Sequence, residues 1–396
     1  MRAVRRPQRE PANGRLPCPD AGDSIRPPCH GAQPPAMPLD ARPAAPPDTD
    51  PHGGAPRARV RLAPLSIVIP TYNRGALLAA TLEALADAAE GLEHELIVID
   101  DGSTDDTPAR LGELAGRLPS LVWRSVPNGG PGQARNLGAA LARHPVVVFL
   151  GDDIQPLNRD FLRVHAELHA ADPDPGFAVL GKVVWPDRPD ADVTFVMAHV
   201  QGKGGEQFGY ADLTPFSILD FRFFYTCNIS VKRALVADWS SDGFSADYTL
   251  AAFEDIDFAY RMAQRPHGLR IFYTPVSCGT HHHRYTVAGF LGRQANCGAM
   301  AKVFVDRHPE VAELIGLGPL VRALAGPPDG AGDRELADLM AVADAAKAWA
   351  RLLEAEHRIG SQHWHDDVLR GVFELAYLQA FVHAGAGVDA NLTQAY

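Results

Sequence analysis

The chain has 396 residues, 46% of them hydrophobic, with a formal net charge of −11 and a pI of about 5.8. It is long enough to bury one large core or two modest ones, and its acidic balance excludes a general nucleic-acid binder, which needs a basic field to displace counterions from phosphate. Five scattered cysteines, Cys18, Cys29, Cys227, Cys278 and Cys297, exclude a disulfide framework and a structural zinc site and point to a reducing, cytoplasmic setting.

The first sixty residues hold fourteen of the 33 prolines and show no periodicity, so residues 1–62 are predicted to form a disordered tail. MRAVRRPQREPANGRLPCPD lacks the apolar segment of a signal peptide, and no stretch reaches the apolar length of a membrane span. From Leu65 the chain alternates. LSIVI, ELIVID, LVWRSV and VVVFL read as strands, and GALLAATLEALADAA, TPARLGELAGRL and GQARNLGAALARH as helices. Strands separated by helices of this length predict right-handed βαβ units, hence an α/β fold with a mostly parallel sheet covered on both faces. Residues 65–153 then form a nucleotide-binding half.

Beyond Asp153 the rhythm changes. NRDFLRVHAELHA predicts a helix and FAVLGKVVW a strand, but Pro186 to Phe224 is irregular and aromatic, with a glycine-rich QGKGGEQFG loop. TCNISVKR and LRIFYTP read as strands on either side of a helix, FEDIDFAYRMAQR. Three histidines, His281, His282 and His283, come next, then an amphipathic segment from about Val287 to His308. A GPPDGAGD break precedes two further helices near Glu335 to His357 and Asp366 to His383. Their pattern leaves open whether they pack on the domain, form a dimer or touch a membrane surface from the periphery.

Asp152 and Asp153 emerge where the apolar strand VVVFL meets the surface. Adjacent acids repel unless a proton or a divalent cation offsets their charge, so the pair is either a solvated turn or a cation site. In IPTYNRG, Pro70 shapes the strand exit, Tyr72 offers a ring to stack a base, and Asn73 and Arg74 supply donors. Asp100 and Asp101 end another strand, in a turn that Gly102 and Ser103 complete. Each segment alone could be a capped βα turn.

LSIVIPTYNRG, ELIVIDDGSTDDT, NGGPGQARNLG, VVVFLGDDI, CNISVKR and FEDIDFAYRM, taken in order from Leu65 to about Met262, resemble the family 2 inverting glycosyltransferases. The resemblance implies a GT-A type nucleotide-diphospho-sugar transferase fold over residues 63–310, with 154–310 as the acceptor and catalytic half and 311–396 as a helical C-terminal extension. It implies a nucleotide-sugar donor, UDP-sugar first, a Mg²⁺ or Mn²⁺ cofactor, and a glycan, lipid-linked or small-molecule acceptor. Asp153 would hold the metal, completed by His281 with His283 in reserve, unless the three histidines form a solvated cluster. Asp152 would contact ribose or sugar hydroxyls. Gly151 stands where many members have the first acid. Asp101 would accept from the uracil imide, beside Pro70, Tyr72 and Asn73. Gly132 would let the backbone approach the nucleotide near Arg135, which could also be a surface arginine.

Asp255 would be the general base, with Glu254 capping or orienting it. Asp257 has a simpler account as a helix-surface i,i+4 pair with Arg261. Cys227 and Asn228 would border the sugar pocket. Two other readings remain: a nucleotidyltransferase, which IPTYNRG fits poorly, and a binding protein of the same fold without turnover, which Gly151 favours.

Overall fold

The computed structural model describes residues 61–187, 193–202, 205, 207, 209–325, 337–348 and 365–385. The expected tail up to residue 60, Cys18, Cys29, four of the nine residues of the QGKGGEQFG loop and the GPPDGAGD break lie outside these residues.

The first half runs β1 (Leu65–Thr71), α1 (Gly75–Ala88), β2 (His94–Asp100), α2 (Thr107–Ala115), β3 (Leu121–Ser125), α3 (Pro131–Leu141) and β4 (Val146–Leu150). Every residue of β1 and β4 is buried, which matches their unbroken apolar runs. β1 pairs in parallel with β2 on one side and β4 on the other, and β3 joins β2, also in parallel. All four strands therefore point the same way, so the residues that follow them gather at one edge.

The second half runs β5 (Ile154–Pro156), α4 (Asp160–Ala171), β6 (Phe177–Val184), α5 (Phe195–Gln201), β7 (Ile218–Leu219), β8 (Asn228–Lys232), α6 (Trp239–Asp242), α7 (Glu254–Ala263), β9 (Arg270–His281), α8 (Val287–Arg307), α9 (Gly318–Leu324), α10 (337–348) and α11 (His365–Gly385). These strands extend the sheet to the order β3-β2-β1-β4-β8-β6-β9-β5, with β7 on the side of β9. β8 runs antiparallel to β4 and β6, while β6 and β9 are parallel, giving a mixed but mostly parallel sheet.

Three elements depart from the sequence reading. The irregular stretch after Pro186 contains α5, started by Thr194, whose hydroxyl accepts from the Met197 amide at 3.2 Å. β5 is a three-residue strand directly after Asp153. β9 continues through Pro275 to His281, because antiparallel pairing with β5 at Ile154↔His281 extends it beyond the apolar run.

The main core lies around the sheet. A second apolar cluster joins Trp185, Met197 and Val200 to Tyr285, Phe290, Leu369 and Phe373. α11 lies along α8 and reaches α5, so this part of the extension packs on the body of the fold. No helix among the described residues is long and apolar enough to cross a membrane.

Candidate active site

Asp101 follows β2, Asp152 and Asp153 follow β4, and His281 closes β9, which brings them to the carboxyl-end edge of the sheet, where open α/β sheets bind ligands. The pairing of Ile154 with His281 sets Asp153 beside the histidines, and the His282 amide donates to the Asp153 carbonyl at 2.8 Å. Alternation along an extended chain then turns His281 and His283 to one side and His282 to the other. His281 Nε2 is 3.2 Å and His283 Nδ1 is 3.9 Å from Asp153 Oδ2, whereas His282 Nε2 meets the Thr280 hydroxyl at 2.9 Å. The histidines are therefore not a solvated surface cluster: His281 is buried and His283 half-buried.

One ligand atom from each of Asp153, His281 and His283 lies within 4.8 Å of the others, a set able to hold a metal ion. The sequence reading set His283 in reserve, yet it faces the same carboxylate as His281. Burial, with Arg74 and His281 nearby, lowers the His283 pKa to about 4 and leaves a neutral imidazole, the form that ligates metal. Burial would raise the Asp153 pKa, but His281, Arg74 and His283 hold it below the ordinary carboxylate range. Burial and the charge of Asp153 push Asp152 up to about 6, against the pull of Arg74 and Thr71. The Thr71 hydroxyl donates to Asp152 Oδ2 at 2.7 Å. A Cβ at Gly151 would lie 2.8 Å from Asp153 Oδ1, so the glycine leaves room for that carboxylate.

Arg74, just ahead of α1, completes the cluster, with Nη1 at 2.5 Å from Asp153 Oδ2 and 3.2 Å from Asp152 Oδ1. The sequence marked it only as a donor at the mouth of the sheet. Its place could be inferred only once β1 and β4 were known to be neighbours.

Across the edge, Asp101 is buried, and its oxygens accept from the Gly129 and Gly130 amides at 2.8 and 2.9 Å. Burial raises its pKa while those amides oppose the rise. Each oxygen retains a lone pair for a further donor. Pro70 is buried inside β1, one residue before its end, and Tyr72 is half-buried after it. Asn73 has a φ of +54° and is exposed; its side-chain oxygen accepts from the Thr104 amide at 2.7 Å and the Asp105 amide at 3.3 Å. It thus ties two loops together.

Arg135 is not on the surface: it is buried in α3, and its Nη1 bonds Glu254 Oε1 at 2.9 Å. Gly132 permits this approach, since a Cβ there would lie 3.2 Å from the Phe244 Cβ and 3.4 Å from the Glu254 Cγ. Asp255 follows in the first turn of α7, half-buried, with its pKa pushed up to about 7 by burial and by Glu254 despite Arg135. Asp257 is not on the helix surface. It is fully buried and accepts from Arg261 Nε at 2.8 Å, the Tyr248 hydroxyl at 3.1 Å and Arg307 Nε at 3.3 Å, with His308 Nε2 at 2.9 Å.

Cys227 is half-buried next to Gly151, whose amide donates to its carbonyl at 3.3 Å. Burial, followed by the charges of Asp153 and Asp255, pushes its thiol up to about 12, so both carboxylates act on this one point. Asn228, by contrast, is wholly buried, with His165 and Ser277 among its hydrogen-bond partners.

A mostly parallel sheet with acids and imidazoles gathered at its carboxyl-end edge is the arrangement of a GT-A fold, and a solved structure agrees in fold. A mannosyltransferase from Pyrobaculum calidifontis, in complex with GDP-Man and Mn²⁺, superposes with a TM-score of 0.50 at 21% identity, covering 86% of this chain and 92% of that one. Residues 66–191 match the family described as Glycosyl transferase family 2. Over those residues the chain is similar to that family. It is 31% identical over 269 residues to a validoxylamine A glucosyltransferase of Streptomyces hygroscopicus subsp. jinggangensis, a match over 62% of this chain and 61% of the relative. A pre-mycofactocin glycosyltransferase of Mycobacterium tuberculosis is 26% identical over 247 residues, a match over 62% of this chain and 48% of that relative. The chain thus spans less than two thirds of the length of these relatives.

Proposed function

We propose that the protein is a metal-dependent inverting glycosyltransferase that moves a sugar from a nucleoside-diphosphate donor to an acceptor hydroxyl. The observation that carries this reading is the grouping of Asp153, His281 and His283 within 4.8 Å at the sheet edge of a family 2 domain. A carboxylate with two imidazoles suits a divalent cation, and Mn²⁺ better than Mg²⁺, which prefers oxygen ligands. When bound, that cation supplies Lewis-acid stabilisation of the departing diphosphate.

The chain's own residues supply the rest. Asp101 and Tyr72 take the base, with Pro70 and Asn73 shaping the loop that carries them. Asp152 faces the ribose or sugar hydroxyls. Asp255 removes the acceptor proton, and a pKa of about 7 lets it serve near neutral pH. Arg135 and Gly132 act indirectly, by seating Glu254 beside that base. The space that Gly151 leaves for Asp153 counts against a domain without turnover. The catalytic unit is assigned to residues 63–310.

UDP-sugars are the first donors to test, and the name of the Streptomyces relative makes validoxylamine A the first acceptor. Incubation with UDP- and GDP-sugars and Mn²⁺ should release nucleoside diphosphate, with product NMR reporting an inverted anomeric centre. No release from any donor, with or without acceptor, would overturn the reading; a retained anomeric centre would remove Asp255 from its role.

A further inference from the structure

Asp153 Oδ2 faces three groups at once: Arg74 Nη1 at 2.5 Å, His281 Nε2 at 3.2 Å and His283 Nδ1 at 3.9 Å. Arg74 also reaches Asp152 Oδ1 at 3.2 Å, and its Nη2 lies 3.1 Å from His283 Nδ1. The guanidinium thus contacts two of the three groups suited to a metal, and a cation drawn to that set meets a full positive charge on one of its ligand atoms.

The backbone at Arg74 is held by Asn73, whose amide donates to the Ser103 hydroxyl at 2.8 Å and whose side chain binds the loop after β2. The Arg74 side chain remains 21% exposed at the site's mouth. A guanidinium is a planar fork suited to phosphate oxygens as well as to carboxylates. The same group therefore has two anionic partners to choose between, the acid pair of the chain and the diphosphate of the donor.

We propose that Arg74 is a resident counter-cation of the acid cluster, competing with the divalent metal for Asp153 until the donor's diphosphate takes up the guanidinium. This rests on the reading that Asp153, His281 and His283 hold the metal. It makes tight metal binding depend on the arrival of the donor through a residue of the protein, in addition to any direct bond between metal and diphosphate.

The test uses the full chain, with Arg74→Gln and Arg74→Lys. Mn²⁺ binding without nucleotide is read from the free-ion EPR signal, and inorganic pyrophosphate binding without metal by calorimetry. Arg74→Gln should bind Mn²⁺ more tightly by about tenfold or more and pyrophosphate more weakly by a similar factor, as expected for one charge-assisted hydrogen bond. Arg74→Lys should shift both in the same directions by less, and it remains informative if the glutamine variant fails to fold. A merely structural arginine would weaken both ligands or neither. Mn²⁺ affinity that is unchanged or lower in folded Arg74→Gln, with Mn²⁺ still bound, overturns the inference and leaves the metal reading standing. Tighter Mn²⁺ with unchanged pyrophosphate binding overturns the coupling to the donor. No Mn²⁺ bound by the wild type or by either variant, even with UDP present, overturns both the inference and the metal reading.

Discussion

Asp255 is placed where a carboxylate is expensive to ionise. Its proton is held more tightly in the folded chain, with a pKa of about 7 against an ordinary 3.8. The stability this proton contributes is fully present below about pH 4 and is lost as pH rises through about 7. Transfer should follow the opposite course and rise with pH across the same range, because the proposed base must first lose its proton. Asp255→Asn should therefore reduce transfer by about 10²–10⁴-fold. It should also melt no lower than the wild type at pH 8, and scanning calorimetry beside an acceptor assay checks both. Asp257→Asn should differ: four partners surround this buried carboxylate, and breaking them should cost up to about 3 kcal/mol in urea unfolding, the low end for a buried pair because Arg261 and Arg307 stay partly hydrated. The acids at strand ends were legible in the sequence because short apolar runs announce them. The difference between Asp255 and Asp257 was not, since Arg307 ends α8 and His308 follows it, about fifty residues away in the chain.

At the scale of elements, α7 starts in an unusual way. Its N-cap, Phe253, has a φ of +64°, a costly conformation for a bulky residue, and its ring packs against Phe304 of α8. Three acids then fill the first turn, where the helix dipole favours negative charge. α8 thus supports the helix that carries the proposed base, and α11 supports α8 in turn. Phe373 of α11 is fully buried, with its ring 4.7 Å from that of Phe290. Phe373→Ala should destabilise the fold by about 3–5 kcal/mol, the usual loss for a large buried ring. It should lower activity only as far as it lowers the folded fraction, which chemical unfolding and specific activity measured together will separate. Helical spacing made α8 and α11 legible. α5 was hidden because a seven-residue helix beside a glycine-rich loop has too little periodicity to register, and β9 was cut short because only its partner β5 carries it on to His281.

For the whole molecule, the halves differ in how much the sequence discloses. Residues 65–153 form parallel strands of which β1, β2 and β4 are buried and β3 is a partly exposed edge, so pattern and topology coincide for the three inner strands. Beyond Asp153 the sheet is completed by strands that pair out of order, β8 between β4 and β6 and β9 beside β6, and nothing local in CNISVKR or LRIFYTP states those partners. The proposed metal cluster depends on that later pairing, so the place of Asp153 at a strand end was legible while its closeness to both His281 and His283 was not. A ligand that binds only the folded chain raises its stability, by about 2.7 kcal/mol at a hundredfold excess over Kd. Mn²⁺ with UDP should therefore raise the melting temperature of the wild type, and EDTA should remove both that gain and the turnover. Asp153→Ala should show neither the gain nor the turnover while remaining folded.

The indole of Trp185 lies stacked on the His281 imidazole, with ring centroids 4.8 Å apart and planes inclined by 13°, and its Nε1 donates to the Met197 carbonyl at 2.5 Å. This makes it a built-in optical probe. A paramagnetic ion on His281 would sit against a fixed fluorophore, so its arrival should be visible as lost emission without any label. Titration with Mn²⁺ and UDP should quench the wild type more than a Trp185→Phe variant, and a diamagnetic Mg²⁺ titration should leave the signal nearly intact.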